Sequence, residues 1–270
     1  MAFLPNRPVP VAATASALYE AWLDSFEEEL DRPDCDRYDL CRRVLTDIYF
    51  PDVVESDAAS LPRSTQVVLA QMDARNITRE PEYYSDTDPE KYGRVKPLLW
   101  MWEMFDKSPL GENVYLGVKF RRILAKRIFR KCGENFKAFH FVKLSFGYNM
   151  EVGDDVVVHR HVLLDDRGGI KLGNRASVSD FANIYSHSHD VVESREIQTP
   201  QTVIGEGVRI TYHATVMSGV HVADDTMIGS FGVVTRDTEP HSIYVGIPAK
   251  MVKRKPEADR PPPTEDPLAG

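Results

Sequence analysis

Cysteine is scarce in this chain. Cys35, Cys41 and Cys132 are the only three in 270 residues, and no two stand at CxxC spacing. That argues against a disulfide framework and fits free thiols in a reducing cytoplasm. No uninterrupted apolar run approaches the length of a membrane span. Met1 to Pro10 has no apolar core of the kind a secretory leader carries, so the expected compartment is cytoplasmic. Basic excess is missing too: the formal net charge of −8 argues against a general nucleic-acid surface. Otherwise the composition, 42% hydrophobic and 27% charged, is that of an ordinary globular protein.

What is present is a beat of six. Aliphatic residues recur at Ile204, Ile210, Val216, Val222, Ile228 and Val234, and smaller inward-sized residues follow four positions later at Val208, Ala214, Val220, Thr226 and Gly232. Neither a helix nor an ordinary strand has a period of six. A three-sided solenoid does, because each short strand sends one aliphatic side chain into a narrow core. The beat also runs through Phe146, Val152, Val158 and Leu164, then Leu172, Val178 and Ile184. About thirteen hexads predict roughly four to five coils stacked ~4.8 Å apart. Two interruptions, within 164–172 and over 190–203, predict loops extruded from a continuing coil, where binding groups commonly sit.

The first 135 residues differ in kind and predict helices. Leu18, Trp22, Phe26 and Leu30 share one helix face, with Leu23 beside it. Leu40, Val44, Leu45 and Ile48 form a second stripe after an Asp36 cap, and Pro51 ends it. Residues 53–90 are polar and punctuated by proline, whereas Pro97 to Phe105 reads as buried. The basic stretch Lys119 to Lys131 contains no acid, predicting a solvated or subunit-facing helix that ends at Gly133. The division expected is a helical region 1–135, a solenoid 136–253 and a Pro-rich disordered tail 254–270.

Of eight histidines, four form the pairs His159/His161 and His187/His189. Ser188 falls at the small inward position of its hexad, so His187 and His189 are expected to face outward. An imidazole at the mouth of a loop suits general-base chemistry near neutral pH. An isolated histidine would more readily be a bystander; the clustering beside two insertions is what singles these out.

From about residue 138 to 253 the chain resembles the hexapeptide-repeat, left-handed β-helix acyltransferases, and among them the maltose and galactoside O-acetyltransferase group. The matching pieces are the hexads, the run from Asn183 to Asp190, and the rejoining segment Val203-Ile204-Gly205. Val233 to Asp237 and Val245 to Lys250 match as well. The resemblance implies acetyl transfer from acetyl-CoA to a hydroxyl of a small, sugar-like acceptor, with no metal. It carries the catalytic base onto His189, with His187 two residues before it. Acceptor binding falls near His159, Asp165 and Asp166. Tyr212, Ser230, Thr235, Arg236, Lys250 and Lys253 match positions along the CoA arm, which the family binds in grooves between prisms of a homotrimer. Departures concern the acceptor: His159 stands where the family commonly has asparagine, Arg209 aligns with a groove tryptophan, and Arg167 falls where sugar acetylases carry an acceptor-binding aspartate.

Other functions suit the same solenoid. A zinc hydratase would draw three ligands from the paired histidines, but the histidine pair expected five residues apart is absent, since His213 has Ser218 at that spacing. N-acetylation of an aminosugar needs only the same base. An assembly module without activity would fail to bind acetyl-CoA.

Overall fold

The computed structural model describes residues 9, 11–53, 55–84, 86–193 and 195–256; most of the predicted tail lies outside them. Among the described residues five α-helices come first: α1 (Ala13–Leu30), α2 (Arg37–Tyr49), α3 (Arg63–Ala70), α4 (Pro89–Lys107) and α5 (Val114–Ile128). Asp36 caps α2 through the backbone N–H groups of Tyr38 and Asp39, as expected, and Pro51 lies just past its end. In α1 the buried stripe is Leu23, Phe26 and Leu30, whereas Leu18 is 67% exposed. The adjoining Tyr19 and Glu20 meet Tyr115 of α5, so contact with that helix falls beside Leu18 rather than on it.

From Lys131 to Arg254 the chain forms a left-handed parallel β-helix with three faces. Left-handed crossovers are an exception to the usual rule for parallel strands. The first face stacks Lys131–Cys132, Met150–Val152, Ile170–Leu172, Thr202–Ile204 and His221–Val222. On the second, Lys137–Ala138 begins a parallel stack that ends in Ser242–Val245, and Lys250–Arg254 folds back antiparallel against that last strand. The third holds Lys143–Leu144, Leu163–Asp165, Asn183–Tyr185, Thr215–Val216 and Val233–Val234.

Register explains the sequence beat and corrects its start. Ala138 pairs with Val158 and Leu144 with Leu164, so the inward column begins upstream of Phe146. Leu144 holds the inward position, and the step from it to Val152 already contains two extra residues, as the step from Leu164 to Leu172 does. Both short insertions and the long loop therefore leave the coil at one corner, between the third and first faces. Glycine following the inward aliphatic residue has a steric reason: a Cβ on Gly173 would come within 2.7 Å of the Gly205 carbonyl carbon one coil on.

The basic helix is not solvated. Arg121 of α5 is buried; its Nε donates to Asp106 Oδ1 at 2.7 Å and its guanidinium also reaches the Ala138 carbonyl at 3.2 Å. Arg122 donates to the Phe136 carbonyl at 2.9 Å, and Lys119 to Glu20 at 2.7 Å. Acids supplied by α1 and α4 and carbonyls of the first coil, distant in sequence, satisfy cations that looked unopposed locally. The helix also ends at Ile128, short of Gly133.

Breaking a buried pair leaves its partner charge unpaired, at a cost of about 3–5 kcal/mol. Arg121→Ala should lower the unfolding free energy in urea by about that much. Arg32→Ala, at an exposed pair with Asp34, should leave the urea midpoint unchanged.

Candidate active site at the insertion corner

The parallel stacking sets successive coils above one another, so Ser145, Asp165 and Tyr185 form a column leading into the insertion corner. Beyond Tyr185 the chain leaves the prism. Ser188–His189 pairs antiparallel with Ile197–Gln198, making an extruded hairpin that carries the histidines. Ser186, not Ser188, takes the inward place: it is fully buried, with its hydroxyl donating to the Asp165 carbonyl at 2.6 Å and accepting from the Gly168 N–H at 2.9 Å. The hexad register stops at this point because the hairpin diverts the strand.

His187, on the opposite side of the strand from Ser186, faces the Asp165 side chain. Its Nδ1 hydrogen-bonds to Asp165 Oδ2, and the two side chains are only 18% and 4% exposed. Asp165 Oδ1 accepts from Ser145 Oγ at 2.8 Å, and Arg167 Nε stands 3.7 Å from the same oxygen. A carboxylate on Nδ1 favours the tautomer protonated there, which leaves Nε2 as the nitrogen able to exchange a proton. His189 is exposed, its ring perpendicular to His187 with centroids 5.4 Å apart.

Asp166, expected at the acceptor, is placed differently. It is fully buried, accepting from the N–H groups of Phe146 at 2.8 Å and Asn149 at 3.1 Å, so it braces the neighbouring coil rather than meeting an acceptor. Burial pushes its carboxyl up to about 6. Arg167 is nearly buried as well. It lies 3.4 Å from both Glu80 and Asp86 and 4.8 Å above the Tyr84 ring, all from the segment ahead of α4. The helical region thus reaches the site, a contact that sequence spacing did not signal. Ser145 was also missed, although it stands one 20-residue coil before Asp165.

The other predicted residues divide by corner. Thr235 and Arg236 follow the last third-face strand, further along the insertion corner. His159, Tyr212 and Ser230 stand at the corner between second and third faces, a whole face away. There His159 stacks on Phe139 at 5.1 Å, and burial lowers its pKa. Phe141, His161, Phe181, His213 and Phe231 make a ring stack along that corner at 4.7 to 5.0 Å spacing. Lys250 and Lys253 are exposed on the final hairpin. Among the described residues no three His, Cys, Asp or Glu converge as a metal site. The zinc reading lacks its ligand set here: His187 is engaged by Asp165, while His161 and His213 are spent in the ring stack.

No family model matches the chain. It is similar to the galactoside O-acetyltransferase of Escherichia coli (strain K12), 24% identical over 176 residues that span 64% of this chain and 83% of the relative. A solved galactoside acetyltransferase in complex with coenzyme A aligns with a TM-score of 0.55 and 26% identity, over 62% of this chain and 81% of that one. A maltose O-acetyltransferase from Clostridium difficile 630 shares the fold, with a TM-score of 0.56 and 22% identity over 67% and 99% of the two chains. In sequence and fold the chain is similar to the hexapeptide-repeat acetyltransferase class. Within that class it resembles the galactoside and maltose O-acetyltransferases.

The raised carboxyl of Asp166 gives a pH test. Its folded value of about 6 exceeds the ordinary 3.8, so the protonated form favours the fold. That contribution is complete below about pH 3.8, declines as pH rises, and is lost above about 6. Two pK units correspond to about 3 kcal/mol. The unfolding free energy of the wild type minus that of Asp166→Asn should fall by roughly this amount between pH 4 and 7 in urea titrations.

Proposed function

We propose that this chain is a CoA-dependent acetyltransferase that moves the acetyl group of acetyl-CoA to a hydroxyl of a small, carbohydrate-like acceptor, with His189 as general base. The observation that carries the reading is the insertion corner, where a hairpin on a rigid coil holds two imidazoles, one of them anchored by a buried carboxylate. The likeness to a coenzyme A-bound galactoside acetyltransferase supports both donor and class.

His189 Nε2 removes the proton of the acceptor hydroxyl as its oxygen attacks the thioester carbonyl. The C–S bond then breaks, and the departing thiolate takes the proton back from the imidazolium, so the base is regenerated. A base positioned within hydrogen-bond reach contributes about 10²–10⁴-fold. His187, fixed through Nδ1, stiffens the strand that presents His189. Arg236, Thr235, Tyr212, Ser230, Lys250 and Lys253 contact the CoA arm, the lysines facing its phosphates. Because His189 and Tyr212 stand on different corners, one chain does not enclose the donor. A homotrimer, with each cleft between two prisms, brings the two corners together. The reaction is cytoplasmic, consistent with three free thiols.

His189→Ala should reduce turnover in a thiol-release assay at least ~100-fold while leaving acetyl-CoA affinity by calorimetry unchanged. Near-normal turnover would remove His189 from the role of base.

A further inference from the structure

A cleft of about 430 Å3 lies between the helical region and the outer side of the third face. Asn76, Glu80, Trp100 and Glu103 line it from the helices, Ser145 and Leu163 from the coil. Its chemistry is mixed in a particular way. The Trp100 indole N–H donates to the Gln71 carbonyl at 2.7 Å, which fixes the ring. Glu103 is paired with Arg79 at 2.8 Å, while the remaining wall charges, Glu80 and Lys143, are of opposite sign. The wall is therefore formally neutral, rich in hydrogen-bonding groups and furnished with one aromatic plane. A neutral polyhydroxylated ring matches such a lining: its hydroxyls both donate and accept, and its C–H face stacks on an indole.

The cleft is linked to His187 through hydrogen-bonded side chains. Ser145 lines it and hydrogen-bonds Asp165, the partner of His187. Glu80 lines it and contacts Arg167, which lies 3.7 Å from Asp165. From the Ser145 coil to the coil bearing His187 is two coil spacings, about 10 Å. One pyranose ring does not span that distance.

We infer that this cleft holds the non-reacting end of an extended, neutral saccharide acceptor, so that the helical region selects acceptor length. This rests on the acetyl-transfer reading above, and the test separates the two. Calorimetry without acyl donor would compare one-, two- and three-unit maltose-series and galactoside-series saccharides. Thiol release with acetyl-CoA would follow on the same panel. In at least one series the trisaccharide should bind at least ten times more tightly than the monosaccharide. Trp100→Ala should abolish that difference and Trp100→Phe should retain most of it, with the thermal midpoint verifying the fold of each variant. Length-dependent binding that is lost in Trp100→Ala, without acetyl transfer to any saccharide, would sink the transferase reading and leave the cleft assignment standing. Equal affinity across lengths, no binding by any member, or a difference that survives Trp100→Ala would overturn the cleft assignment.

Discussion

Hydrogen bonds between successive coils are the constraint on which this molecule depends. Backbone N–H groups of one coil reach carbonyls of the next, as from Lys143 to Val162 at 2.8 Å and from Val157 to Ala176 at 3.0 Å. The stack admits one inward side chain per short strand and no slack in between. Extra residues can only leave at a corner, and every insertion in this chain leaves at the same one. Asp165 and the hairpin bearing His187 and His189 stand there, where the coil is permitted to be irregular.

The helical region is a structural part of the solenoid rather than an appendage. Buried Arg79 donates to the Leu144 carbonyl at 2.9 Å and to the Tyr92 hydroxyl at 2.8 Å, while Asp106 accepts from the Phe141 N–H at 2.6 Å. These bonds satisfy backbone groups of the opening coil, which has no earlier coil beneath it, and so serve the capping role that a solenoid end requires. The same welding delivers Glu80, Tyr84 and Asp86 to Arg167, so the cap that protects the end of the coil also shapes the approach to the histidines.

At the site, the coil geometry sorts two neighbouring carboxylates into different duties. Asp165 faces Ser145 and the His187 ring, and its charge orients an imidazole. Asp166, one residue on, is enclosed and holds backbone N–H groups in place. Alternation along a strand makes that division, since consecutive side chains point to opposite sides. The two histidines also differ, although two residues apart they leave the strand on the same side: His187 is anchored to Asp165 at the hairpin base, and His189 is exposed.

Much of this was legible in the chain itself. The period of six specified a three-sided coil with short strands, because only a narrow apolar core selects one aliphatic residue per strand. The two interruptions marked the corner where the coil becomes irregular, and one of the two histidine pairs, His187/His189, stands there. Other features depended on partners distant in sequence. Leu144 rather than Phe146 proved inward, because pairing with Leu164, not residue type, sets register. Ser186 displaced Ser188 once the hairpin diverted the strand, and His187, on the opposite side, met Asp165. The cations of α5 were buried by acids and carbonyls brought from elsewhere. Local pattern determines which side chains need an interior; only the closed tertiary structure decides which charge or carbonyl meets each polar group, because those pairings are made across coils and elements that spacing along the chain does not encode.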